Sequence, residues 1–309
     1  MTRVVFSGWV AVALAACASP SPVGVPGTAP AGPDARPVTE VARFRDARSL
    51  AVAGEALYVV DAAESVVVSL TPEGERLASF GGPGAGDHGL LEPSGVDPTN
   101  GLELYVADTG NARLQRLSRE GRLIETIPVP SGEPRAVGRP ESARSREDEA
   151  SLGLRGRPLA VAVGPADALY AVEAERGVVV WWEGRRLARS LGADGPGALS
   201  APTDVAVDGA GAVYVADPGR EAVVVYSNLG VFRHAVPGAA AGGVRAVGLG
   251  RGPEGERLLV VGPQAVAVHR LEGGLVDVVP VDVGEELVDA AVSAGQLYVL
   301  TRTRLLRVE

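Results

Sequence analysis

Four acids recur at one place in this sequence. Asp61, Asp108, Glu173 and Asp217 each close a short run of aliphatic residues around a Tyr, as in Leu104-Tyr105-Val106-Ala107-Asp108, and a turn-forming stretch follows each of them. Such carboxylates suit two chemistries. They are hard oxygen ligands for a divalent cation, and they accept the backbone N–H groups of the turns that they open. Recurrence favours the second use, because acids in separate copies of a repeat are held apart from one another, so these four are expected to be structural turn residues. Three histidines, His88, His234 and His269, have the chemistry of a zinc site. His88 falls in a Gly-rich loop, whereas His234 and His269 fall in strand-like stretches. Their places in the repeat differ, so convergence on one ion is not expected, and no metal ligand is assigned. No Ser-His-Asp arrangement, phosphate-binding loop or dinucleotide fingerprint is present, and the Gly-rich stretches belong to turns.

The elements that hold these residues follow from the repeat. Residues 90–117 contain a short strand at 95–97, a turn at 98–101, a strand at 102–107, a tight turn at 108–111 and a strand at 112–117. Asp, Asn and Gly favour such turns, since Asp and Asn bond the local backbone and Gly tolerates positive φ. The pattern returns at 201–226, with Pro93 on Pro202, Val96 on Val205, Tyr105 on Tyr214 and Asp108 on Asp217. Counted by the central strand, six units are centred on Tyr58, Tyr105, Tyr170, Tyr214, Leu259 and Tyr298, at intervals of 47, 65, 44, 45 and 39 residues. A four-stranded blade takes about 40–50 residues, so the long interval carries an insertion. That insertion is residues 131–153, polar, densely charged and broken by Pro: a solvated loop, or one that binds a partner. The last unit holds only three strands, at 288–292, 296–300 and 304–308, while residues 38–44 form an unassigned strand before the first unit. The expected fold is therefore all-β: a six-bladed β-propeller of four-stranded antiparallel blades, closed by an N-terminal strand that completes the last blade and removes exposed sheet edges. Trp181-Trp182 aligns with the third strand of the third blade, and alternation along a strand predicts one Trp between blades and the other turned outward, as a partly covered core residue or, alternatively, as an exposed contact surface.

The pattern resembles the NHL repeat of β-propellers. Pro93, Gly95, Val96, Leu104-Tyr105-Val106-Ala107-Asp108, Gly110-Asn111 and Arg113 carry the resemblance, with the Gly-rich stretch at 80–89 as the inter-blade connection. It covers roughly residues 40–309 of a domain taken as 38–309, and implies a propeller that binds proteins or other ligands. NHL-like amidating lyases use a three-His metal site, which the histidines here do not reproduce. Six-bladed lactonase-type propellers hold a divalent cation on the axis with Glu, Asn and Asp of the inner strands. The matching positions here are Leu50, Gly95, Ala160, Asp204, Ala246 and Asp289. Two carboxylates are a thin metal site, so no cofactor is expected, a divalent cation being the weaker alternative. Asp204 and Asp289, with Arg48 and Arg245 near in register, instead make a candidate binding site for a small polar ligand at the axial mouth. Arg113 and Arg220 are expected to brace neighbouring loops.

The N-terminus reads as a targeting segment. Arg3 precedes an apolar run from Val4 to Ala16 that is too short to span a bilayer comfortably. It ends in Leu14-Ala15-Ala16-Cys17, which looks like a bacterial lipobox, the alternative being an ordinary secretory signal cut after Ala16 or Ala18. The resemblance implies cleavage before Cys17 and acylation of its sulfur and new amino group, with residues 1–17 as signal peptide and lipidation site. Residues 18–37 are rich in Pro, Ala, Gly and Ser and read as an extended tether. In polyproline form such a segment reaches roughly 60 Å. Ala18 after the Cys points to the outer membrane of the cell envelope, with the domain outside the cytoplasm.

Composition narrows the partners. The 309 residues carry 29 Lys+Arg against 38 Asp+Glu, a net charge of −9, which argues against nucleic acid, since phosphate binding needs a basic surface. A single Cys excludes an intrachain disulfide, so the fold must rest on its core. The favoured function is a monomeric, lipid-anchored binding or scaffold module that presents propeller loops to a protein or small polar ligand, and not an enzyme. The alternative is a propeller lyase or lactonase with an axial divalent metal.

Overall fold

The computed structural model describes residues 35–99, 101–130, 156–184, 186–252 and 255–309. The leader, most of the tether and the 131–153 insertion lie outside the described residues. Among those described, strands dominate and helix is confined to single 3-10 turns. β1 (Val38–Arg43) comes first. The first blade is β2 (Ala47–Ala53), β3 (Ala56–Asp61), β4 (Val66–Leu70) and β5 (Arg76–Gly81), and the second is β6 (Pro93–Asp97), β7 (Glu103–Asp108), β8 (Arg113–Ser118) and β9 (Leu123–Pro128). The third holds β10 (Pro158–Val163), β11 (Leu169–Glu173), β12 (Val178–Glu183) and β13 (Arg186–Leu191). The fourth holds β14 (Asp204–Val207), β15 (Val213–Asp217), β16 (Ala222–Tyr226) and β17 (Phe232–Pro237). The fifth holds β18 (Ala246–Gly252), β19 (Gly255–Val261), β20 (Ala265–His269) and β21 (Leu275–Pro280). β22 (Leu287–Ser293), β23 (Gln296–Thr301) and β24 (Arg304–Val308) form the sixth, and β1 pairs antiparallel with β24 as its outer strand.

Each sheet is a four-stranded antiparallel meander, and the inner strands β2, β6, β10, β14, β18 and β22 pack each against the next, with β22 against β2. The ring is closed by the N-terminal strand: Val38 pairs with Val308 and Arg43 with Arg304.

The middle strands are Val-rich because both faces of a blade are covered, so consecutive residues such as Val59-Val60 and Val67-Val68 are wholly buried. β-branched chains pack well on such a pleated surface. Six apolar layers result, one in each seam: Tyr58, Phe80 and Leu104 between blades 1 and 2, for example, and Ala47, Leu300 and Leu305 between blades 6 and 1. A fully buried Val or Leu contributes about 1.5–3 kcal/mol. A surface ion pair such as Arg43–Glu40 or Arg45–Glu64 contributes at most about 1 kcal/mol. The layers therefore hold the ring.

This two-sided burial corrects one expectation. Trp181 and Trp182 do alternate, but both are buried, because one face of β12 meets blade 4 and the other meets blade 2. Trp181 stacks on Tyr170 with centroids 5.4 Å apart, under the Arg189 guanidinium at 4.8 Å.

Strand direction defines two faces. Every inner strand starts on what we call the upper face. The turns between second and third strands and the links between blades therefore open there too, and the other turns open on the lower face. The turn after Asp108, the link bearing His88, and the residues flanking the insertion (Pro130 and Gly156, which is bonded to the Val129 carbonyl at 2.8 Å) thus share the upper face.

Candidate axial site

The four recurring acids end their strands at the upper face and are buried. Asp61 accepts the N–H groups of Arg45 (2.9 Å) and Asp46 (3.1 Å), and Asp108 accepts that of Leu91 (2.7 Å). Glu173 accepts those of Arg157, Glu175 and Arg176, each at 3.0 Å, and Asp217 those of Ser200 (2.7 Å) and Ala201 (2.9 Å). Each acid thus clasps the link that enters its own blade. Glu173 does this with a longer side chain in place of Asp. Arg113 binds Asp108 at 2.7 Å and the Gly86 and Gly89 carbonyls at 2.9 Å. Arg220 likewise holds the Pro196 and Ala198 carbonyls of its link.

The pairing register defines the axial ring. The residues opposite Val60, Ala107, Val172, Ala216, Val261 and Leu300 of the second strands are Ser49, Gly95, Ala160, Asp204, Ala246 and Asp289. Ser49, not Leu50, holds the place in blade 1. Ser49 pairs with Val60 just after a register shift at Ala47, as Gly95, Ala160 and Asp289 do after the same shift in blades 2, 3 and 6, and Leu50 turns into the apolar layer against blade 6.

Asp204 and Asp289 carry the polar chemistry of this ring. Asp289 accepts the N–H of Leu50 in the next blade (2.7 Å) and of Ala290 (2.8 Å). Asp204 does the same with Val247 of the next blade (3.0 Å) and Val205 (2.8 Å). Burial pushes the Asp204 carboxyl up to about 6. Asp289 is held well above the usual carboxylate range, first by burial and then by the charge of Asp204, against the opposing hydrogen bonds of Leu50, Ala290 and Ser49. Removing a charged group from water disfavours its charged form, and a second carboxylate adds to the effect. Near neutral pH the pair resists carrying two charges. Asp97 forms a third bridge at the lower end of β6, accepting Val163 N–H of the next blade at 2.7 Å, and burial raises it too.

Arg48 and Arg245 stand at the rim. Arg48 pairs with Asp46 (2.6 Å), which also takes Arg302 (3.0 Å), and Arg245 pairs with Glu286 (2.6 Å). A shallow cleft of about 400 Å³ opens beside Arg245, lined also by Pro218, Glu221, Gly243 and Pro263.

The ring does not suit an axial metal of the lactonase type. Ser49, Gly95, Ala160 and Ala246 bring no carboxylate, amide or imidazole. All four oxygens of Asp204 and Asp289 already accept a backbone N–H. At Gly95 a Cβ would stand 2.8 Å from the Cα of Ala160, so a ligand side chain there would force the blades apart. Among the described residues no group of three or more His, Cys, Asp and Glu is placed to hold a metal ion.

The histidines divide. His88 lies in the link between blades 1 and 2, whereas His234 on β17 and His269 on β20 both flank the turn at Gly273. His269 Nδ1 lies 3.1 Å from the Gly273 carbonyl, and a Cβ on Gly273 would stand 3.6 Å from His234 Nε2. Both Nε2 atoms are buried without a hydrogen-bond partner. Register comparison within a blade missed this approach because the two strands belong to different blades.

No protein-family model matches the sequence, and no curated protein does. Solved structures share the fold. Virginiamycin B lyase from Staphylococcus aureus matches with a TM-score of 0.57 at 11% identity, over 84% of this chain and 78% of that one. A streptogramin B lyase matches with 0.58 at 10%, over 88% and 97%. A putative gluconolactonase matches with 0.59 at 15%, over 89% and 94%. At such identities the likeness establishes the architecture these proteins have in common, the six-bladed β-propeller, and nothing of their chemistry.

Proposed function

We propose that the chain is an exported binding module built of NHL-type repeats and anchored to a bacterial membrane through acylated Cys17, with residues 18–37 as tether. Its upper face presents the inter-blade links, the 131–153 insertion and the axial mouth to a protein or small polar ligand. One observation carries this reading: the axial carboxylates are engaged in holding blades together, so the mouth offers hydrogen-bonding and charged groups but no open ligand set for a metal. Arg48 and Arg245, each already countered by an acid, suit a polar ligand better than a bare anion. The competing reading is a metal-dependent lyase or lactonase, favoured by the names of the structural neighbours.

Metal analysis of the purified full-length protein separates the two. The binding reading expects no stoichiometric divalent cation, and a tightly held equivalent would overturn it. The anchor is read independently: Cys17→Ser should move the protein from the membrane fraction to the soluble one, since two or more acyl chains give stable attachment. Unchanged partitioning of that variant would sink the anchored reading.

A further inference from the structure

Two buried imidazoles enter one seam of the ring. Directly opposed residues of an antiparallel pair point to the same face of their sheet. In blade 4 the row Tyr214, Val225 and His234 runs across β15, β16 and β17, and Tyr214, Val225 and Val236 pack in the apolar layer shared with blade 5. In blade 5 the row Leu249, Leu258 and His269 runs across β18, β19 and β20, and Leu249 and Leu258 join that layer from the other side. His234 and His269 therefore face each other's blade, at the place where the turn between β20 and β21 lies against β17.

That turn is pinned by the Arg270 N–H on the Gly274 carbonyl (2.8 Å) and the Gly273 N–H on the Arg270 carbonyl (2.9 Å). Gly273, at φ +101°, has no side chain to hold the rings apart, and a Cβ there would stand 3.3 Å from Val236 Cγ2 and 3.6 Å from both Cδ2 and Nε2 of His234. His269 Nδ1 lies 3.1 Å from the carbonyl of the same glycine. A carbonyl only accepts, so Nδ1 carries the hydrogen and the neutral ring keeps its lone pair on Nε2. His269 is 4% exposed, and the Nε2 atoms of both rings are buried without a hydrogen-bond partner. Buried polar atoms are nearly always satisfied, so two orphans beside one glycine call for a shared partner.

We propose that His234 and His269 bind one divalent cation of the Cu²⁺, Ni²⁺ or Zn²⁺ class, which bridges blades 4 and 5. An Nδ1–H bond to a backbone carbonyl is how proteins orient a metal-binding histidine. Imidazoles suit these ions, whereas Mg²⁺ and Ca²⁺ take oxygen ligands. Of the charges nearby, Arg233 opposes a cation but is exposed and screened by salt, and Glu256 beside Tyr214 and Glu272 in the turn offset it. The ion enters where His234 is partly exposed. Two protein ligands leave its other positions to water, so it exchanges and is not a tightly held equivalent. The site lies on third and fourth strands, whereas Asp204 and Asp289 lie on inner ones.

The test adds Cu²⁺ to untagged full-length protein. Spin-echo resonance reads the remote nitrogens of bound imidazoles, and calorimetry reads stability. The expected result is one ion per chain held by two imidazoles, with the melting temperature raised by about 5 °C at an ion concentration roughly a hundred times Kd. Mg²⁺ should give no rise. His234→Gln should abolish both effects, since a single imidazole cannot bridge the blades, and His88→Gln should keep both. His269→Gln should behave as His234→Gln does. If that buried change prevents folding, His234→Gln, at a partly exposed position, carries the test. Binding that is lost in His88→Gln, or a rise equal in wild type and His234→Gln, overturns the site. An ion without imidazole ligands, indifferent to His234→Gln, also overturns it and would speak for an axial metal instead.

Discussion

Asp289 of the sixth blade accepts the backbone N–H of Leu50 in the first at 2.7 Å, across the seam where the two ends of the ring meet. The carboxylate that the sequence offers as a ligand-binding group is thus a strap between blades. Asp204 repeats the arrangement between blades 4 and 5. Burial of both acids gives the ring an unusual dependence on pH.

Both acids have folded-state values above the ordinary carboxylate value, Asp204 at about 6. Their contribution to stability is full below the unfolded value, near 3.9, and is lost as pH rises through the folded value. For Asp204 the window runs from about pH 4 to about pH 6 and is worth on the order of 3 kcal/mol. Asp289→Asn removes a titrating group and relieves Asp204 of its charge, at the expense of one poorly matched N–H worth about 1–3 kcal/mol. We expect the variant to lose less stability than wild type between pH 4.5 and pH 7.5 in urea titrations. An identical pH dependence in the two proteins would contradict the assignment.

His234 works in the opposite sense. Its value is depressed, by burial first and by the Arg233 charge second. A depressed histidine contributes stability above its unfolded value, near 6.5, and the contribution is lost as pH falls through the folded value. Acid should therefore loosen the seam between blades 4 and 5, where His269 Nε2 is also buried without a partner. His234→Leu should resist acid better than wild type. Hydrogen exchange at Val236 and Val260, measured at pH 7.5 and pH 5, reads the seam directly. Equal acid-induced acceleration in both proteins would count against the role of His234.

Ring closure predicts a sharp difference between two truncations. Removing residues 1–34 leaves every described contact of β1 in place. Removing residues 1–45 deletes the strand that pairs with β24 from Val38 through Arg43 and the bond from Phe44 N–H to the Thr303 carbonyl at 2.8 Å. At about 0.5–1.5 kcal/mol for each net hydrogen bond, the loss is several kcal/mol. That corresponds to a fall in melting temperature on the order of 10 °C. Calorimetry that finds the two truncated proteins equally stable would rule out closure as a source of stability.

Much of the architecture is written locally. Runs of Val and Leu closed by an acid and a turn recur at blade intervals, and turn chemistry acts within a few residues. The six blades, the clasping role of Asp61, Asp108, Glu173 and Asp217, and the completing strand at Val38–Arg43 could therefore be read directly. What depends on neighbours from other blades could not. The apolar pattern does not fix which residue of β2 pairs with Val60, and the pairing gives the axial position to Ser49 rather than Leu50. Alternation says that Trp181 and Trp182 point oppositely, but only the presence of blades on both sides decides that neither sees water. Likewise nothing near Asp204 or Asp289 in the chain shows that Val247 and Leu50 supply their hydrogen bonds, or that His234 and His269 share the turn at Gly273. Those pairings join strands more than 30 residues apart, and they exist because closing the ring brings separate seams together. Periodicity is a property of one strand with its own backbone, whereas a seam is a property of two sheets, and its contents appear only when both are in place.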